Sequence, residues 1–166
     1  RPRTPARTYE LGETHLFLGR QYRLSAEIGL AQSVKTLGDR IVLTMHRPNR
    51  IAERKALLDG WYLTQAREII GKRLDKVFEP FAVLDHPLPR LIVRDLTHRW
   101  GSLTSRGNLV VSRHIVRAPR QCIDYVLVHE LCHLEHRNHG AEFWNLLDRM
   151  MPDHQKRKAR LEKILL

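Results

Sequence analysis

Twelve consecutive residues, "HELCHLEHRNHG" from His129 to Gly140, hold four histidines and two glutamates. The first five form an HExxH pattern: His129, Glu130, Leu131, Cys132 and His133. Four residues of α-helix advance about 400°, so His129 and His133 project from one face, one turn apart. Two imidazoles so placed can meet one Zn²⁺ ion at about 2.0–2.1 Å. Glu130 sits about 100° around the helix, beside the metal position rather than on it. There it is placed to take a proton from activated water and pass it to a leaving group.

A catalytic zinc takes three protein ligands and leaves a position open. The candidates for the third are His136, His139, Glu135 and Glu142. His136 lies seven residues after His129, about 10.5 Å along a continuous helix, too far for one ion to bind both. It is expected at the rim, within reach of substrate. His139 reaches the ion only if the helix stops after His136 and the chain turns back. Asn138 and Gly140 flank it, and asparagine tolerates the left-handed conformation at a helix end. His139 is therefore the expected third ligand, Glu142 the fallback, and Glu135 a bystander. Cys132 is rotated away from the ligand face and reads as a small buried apolar residue.

The elements that must position these residues follow from period and punctuation. Residues 1–8, with Arg1, Arg3 and Arg7 among prolines, read as a flexible arm, and 9–166 as a single domain. A meander of short strands is expected from His15 to Met45, punctuated by Gly19, Gly29 and Gly38-Asp39. From Arg50 to Phe78 the apolar period becomes helical, with Gly60 and Gly71 as points of kinking or breaking. "EPFAVLDHPLP" reads as a loop. Strands return at "RLIVRDL" and in a hairpin, "RWGSLTSRGNLVVSRHI", turning at Ser105–Asn108. Pro119 stands where the first turn of the next helix accepts proline. That helix, with "YVLV" as its apolar approach, carries the histidines. Phe143–Met150 and a basic segment after Pro152 complete the helices. In the last, Leu161, Ile164 and Leu165 are expected to pack inward.

The stretch from Trp100 to Trp144 resembles the YgjP-like metallopeptidases, a family related to SprT-type zincins. The shared pattern is Trp100-Gly101-Ser102, a hydrophobic strand at Leu109–Val111, Pro119, Tyr125-Val126, the HExxH, Asn138-His139 and Phe143-Trp144. "LGRQYRL" and "LLDGWYLTQARE" are similar to the family's first half, and Leu103 departs from it where cysteine is common. The resemblance implies an α+β, compact zincin-like (minigluzincin-type) domain with a small, mostly antiparallel sheet and an HExxH active-site helix. It also implies one Zn²⁺ ion on His129, His133 and His139, with Glu130 as general base. If "RWGSL" is a strand beside that helix, its free edge can pair with an extended peptide. Trp100, Gly101 and Ser102 are then substrate contacts. Tyr125, His136, His114 and Arg99 are the candidate donors to a developing oxyanion.

Zinc-dependent hydrolysis of protein or peptide substrates is the leading expectation. A metal-dependent nucleoside triphosphate (UTP) pyrophosphatase and a DNA-associated SprT-like protease are the alternatives. The formal charge is +11, from 29 Lys+Arg against 18 Asp+Glu, which favours polyanions such as nucleic acid or nucleotide. No apolar run reaches the roughly 18 residues that span a bilayer, and the opening "RPRTPARTYE" carries no apolar signal region. Cys122 and Cys132 lie ten residues apart, roughly 15 Å on one helix, and cannot bridge. A reducing, cytoplasmic setting is expected.

Overall fold

The computed structural model describes residues 6–164. Of the expected N-terminal arm, residues 1–5 lie outside the described residues, as does Leu165. Arg7 and Thr8 are tied to the body. Arg7 Nη1 donates to the Thr14 carbonyl at 3.0 Å, and the Thr8 amide to Glu13 Oε2 at 2.8 Å.

The expected α+β class holds, with the strands divided between two sheets. The first contains β1 (Thr14–Phe17), β2 (Arg20–Ile28), β3 (Ser33–Leu37) and β4 (Arg40–Met45), in the order β1-β2-β4-β3. It is not the expected meander, because β4 lies parallel to β2 and pushes β3 to the edge. Burial explains the exchange. Ile41, Leu43 and Met45 of β4 are fully buried at a two-residue period, whereas Leu37 of β3 is 63% exposed. The more apolar strand takes the covered position.

A single helix, α1 (Ile51–Ala82), follows. It runs through Gly60 and Gly71 without a break and through Pro80, so "EPFA" is helical rather than loop. Leu58, Ala66, Ile70, Leu74 and Phe81 line its buried face. Their burial outweighs about 1 kcal/mol per glycine, and buried Phe81 holds the last turn against the proline.

The second sheet has the order β5-β7-β6, from β5 (Arg90–Arg94), β6 (Gly101–Leu103) and β7 (Asn108–Ser112). β7 is central, parallel to β5 and antiparallel to β6. A short 3-10 helix, Arg113–Arg117, leads into α2 (Arg120–Cys132). Two further helices, α3 (Ala141–Met150) and α4 (His154–Ile164), close the described chain, with Leu161 buried. Among the described residues no helix is long and apolar enough to cross a membrane.

α2 is the centre of the molecule. Every residue from Cys122 to Val128 is buried, so the helix is covered on all sides rather than on one stripe. It touches α1, α3, α4 and β6. The turn between β1 and β2 fixes its start. The Leu18 and Gly19 amides donate to the Val116 and Arg117 carbonyls at 2.9 and 2.7 Å. Gly19 has φ +82°, and a Cβ there would fall 2.7 Å from Pro119 Cγ.

The buried carboxylate of Asp124, mid-helix, receives two bonds from Arg73 of α1, at 2.8 and 2.6 Å. Asp124→Ala should therefore leave Arg73 with no partner and cost about 3 kcal/mol, read from the denaturation midpoint. Arg73→Met combined with Asp124→Leu should recover part of that loss. An Asp124→Ala protein as stable as the parent would show that the pair does not hold α1 to α2.

Candidate metal centre

Three imidazoles converge where α2 ends. His129 and His133 share one face of its last turn, and one ring nitrogen from each, with one from His139, lie within 4.8 Å of one another. The helical hydrogen bonding relaxes gradually, with the Leu134 amide on the Leu131 carbonyl at 2.9 Å and the His136 amide on that of Cys132 at 3.1 Å. The chain then reverses. The reversal does not use the left-handed residue expected at Asn138. Apart from glycine, only Tyr9, Leu18 and Asp85 have positive φ among the described residues. Gly140, ahead of α3, is extended at φ −84° and ψ −174°.

Side-chain bonds hold the reversal instead. His133 Nδ1 lies 2.9 Å from the His136 carbonyl. A carbonyl only accepts, so Nδ1 carries the proton and Nε2 keeps its lone pair. That nitrogen faces His139 Nε2 at 3.0 Å. Two nitrogens about 2.0–2.1 Å from one tetrahedral ion stand roughly 3.3 Å apart, so the spacing fits a shared metal. The His129 ring supplies a second observation. Its Nδ1 is buried with no hydrogen-bond partner among the described residues. Buried polar atoms are seldom left so, and a bound ion is one reason for the exception.

Electrostatics favour the neutral, ligating form of two of the rings, His129 and His139. Burial, then the neighbouring His133 and His139, lower the His129 pKa to about 4. Burial and His133 also lower that of His139. Cys132 is buried and its thiol is pushed up to about 12 by burial, so it offers no thiolate.

Two aromatic residues of α3 brace the cluster. Phe143, fully buried, lies 4.6 Å from the ring centroids of both His133 and His139 and 5.1 Å from that of His129. Trp144 Nε1 donates to the His139 carbonyl at 3.1 Å, tying the third histidine to the helix that follows it.

Beside the cluster opens a cleft of about 670 Å³, walled by β6 and its turn on one side and by the histidines on the other. β6 is the edge of its sheet. The Ser112 amide bonds the Trp100 carbonyl and the Thr104 amide that of Asn108. By antiparallel alternation, the backbone groups of Gly101 and Leu103 therefore turn to the open edge. Glu130 already uses one of them, its Oε2 accepting from the Leu103 amide at 3.2 Å. Gly101 permits this proximity, since a Cβ there would stand 3.1 Å from both Glu130 Cγ and Val126 Cγ1. Burial raises the Glu130 pKa above the usual value, against the lowering pull of His133, the Leu103 amide and Arg99.

The remaining expected residues are dispersed. Gly101 and Ser102 line the cleft. Trp100 is half-buried and packs against the core. Tyr125 is buried on α2, with its ring 6.0 Å from that of His129. The His136 ring turns to Glu142, 3.4 Å away, while its carbonyl orients His133. His114 pairs with Asp95. Of the four candidate oxyanion donors, Arg99 alone lines the cleft among the described residues. Arg137 and the Leu103 amide were not singled out from the sequence. The arginine carries no periodic signal, and a backbone donor is invisible until the strand's pairing is known.

Comparison with known proteins agrees with this architecture. No curated protein matches the sequence. The metallopeptidase zymogen of Methanocaldococcus jannaschii jannalysin is similar in structure at 16% identity and a TM-score of 0.50. The match covers 58% of this chain and 97% of that one. The zymogen of Pyrococcus abyssi abylysin matches at 18% identity and a TM-score of 0.44, over 61% of this chain and 90% of that one. The likeness to jannalysin is one of fold, and it bears out the compact zincin-like architecture expected from the sequence. A family model described as the YgjP-like metallopeptidase domain matches residues 1–164. The chain belongs to the YgjP-like metallopeptidase family.

Proposed function

We propose that this chain is a zinc-dependent peptidase in which His129, His133 and His139 hold one ion and Glu130 moves the protons. The observation that carries the reading is the juxtaposition of three ring nitrogens within 4.8 Å, a half-buried carboxylate and an open strand edge around one cleft. Zinc held there supplies Lewis acidity to a scissile carbonyl and makes water nucleophilic near neutral pH.

The chain's own residues do the rest. An extended peptide lies along β6, pairing with the outward amide and carbonyl of Gly101 and with the outward carbonyl of Leu103, whose amide stays on Glu130. Ser102 and the neighbouring turn shape the wall it passes. Oε1 of Glu130, the oxygen not occupied by the Leu103 amide, accepts a proton from water in the cleft and returns it to the departing amine. The Leu103 bond and the packing of Gly101 keep that carboxylate in one position throughout.

Two outcomes follow. Glu130→Gln should keep its zinc while peptide cleavage falls by about 10²–10⁴-fold, the usual share of a general base. A mass-spectrometric time course on an unfolded protein mixture reads the loss, and undiminished fragments from the variant would remove the mechanism. His139→Ala should lower zinc affinity sharply with little change in thermal unfolding of the metal-free protein, because His139 is exposed. Full zinc retention after dialysis against a mild chelator would place the third ligand elsewhere.

A further inference from the structure

We propose that the cleft selects its peptides through carboxylate groups near the scissile bond, received by Arg99 and Arg137. The inference rests on the peptidase reading and adds to it a substrate class. Both arginines line the cleft, Arg99 just ahead of β6 on one wall and Arg137 in the loop that carries His139 on the other. Both are exposed, and neither forms an ion pair among the described residues. The contrast is with Arg73, Arg113 and Arg157, each of which holds a carboxylate. The one polar contact of the Arg99 side chain is a long one, to Ser102 Oγ at 3.4 Å. Its guanidinium fork therefore remains open to solvent.

The other walls carry nothing to balance these charges. Glu130 is the only acidic residue lining the cleft among the described residues, and it is already engaged by the Leu103 amide. Nearby acids are held outside: Glu135 by His86 at 2.5 Å, and Asp95 by Arg113 at 2.8 Å. A peptide entering along β6 thus meets two unneutralised guanidinium groups, one on each wall. Arginine presents a planar fork that matches a carboxylate bidentately. Residues of an extended peptide advance about 3.3 Å each, so carboxylates within about three residues of the scissile bond come within reach. The +11 net charge draws acidic chains towards the protein as a whole. Selection among peptides falls to the two arginines at the site.

An exposed pair of this kind changes an equilibrium about two- to fivefold, so two acting together give on the order of tenfold. The carboxylate has two sources, an acidic side chain or the free C-terminus of a peptide. The test uses zinc-loaded full-length protein and three peptide series with one common core, flanked by Glu, Gln or Lys, each as free acid and as amide. The expected kcat/KM for the Glu series exceeds that for the Lys series by about tenfold at low ionic strength, and the ratio shrinks as salt is added. Arg99→Glu with Arg137→Glu inverts the ratio, whereas Arg40→Glu on the other sheet leaves it in place. An advantage that survives amidation identifies acidic side chains as the source, and one lost on amidation identifies the C-terminus. Equal rates for all three series, or a ratio unmoved in the double variant, would overturn the inference while leaving the peptidase intact. No Glu130-dependent cleavage of any peptide would remove the peptidase reading and this inference with it.

Discussion

His139 can join His129 and His133 only because α2 stops where it does. A straight helix gives two ligands a turn apart and carries every later residue away along its axis, at about 1.5 Å per residue. Ending at Cys132 and reversing by His139 turns a one-dimensional spacing into a three-cornered site. The bonds that hold the reversal belong to the site itself. The His136 carbonyl orients His133, and the Trp144 indole holds the His139 backbone. Residues outside the ligand set thus become the frame on which the ligands hang.

That frame needs a rigid platform, and α2 is one because it is buried on all sides. A helix covered by α1, α3, α4 and β6 has no face left on which to slide or bend. The Arg73–Asp124 pair and the close approach of Gly101 fix its register against two neighbours. Glu130 inherits that precision. Its carboxylate is placed by the helix on one side and by the Leu103 amide on the other, so one side chain joins the proton-moving group to the strand edge. The cost is a carboxyl group in partly apolar surroundings, which raises its pKa and favours its taking up a proton.

Much of this was legible in the sequence, and the misses have physical causes. The HExxH spacing, the strand–turn–strand at Trp100 and the helix after Pro119 are local patterns, and each forms where expected. His139 was singled out because any third histidine must lie beyond a turn. The turn itself is built differently, from side-chain bonds rather than a left-handed Asn138. The exchange of β3 and β4 depends on which strand the rest of the protein covers, which no local period reports. Pro80 is helical because Phe81 is buried by residues distant in sequence. Arg137 comes to the same cleft as Arg99 only through the fold, so nothing in its own sequence neighbourhood marks it.

The most direct test of the account is X-ray absorption at the zinc edge of the metal-loaded protein. Three histidines and one light atom predict three imidazole nitrogens at about 2.0–2.1 Å with no sulfur. A spectrum with only two imidazoles, or with sulfur at about 2.3 Å, would contradict the three-histidine centre on which the rest depends.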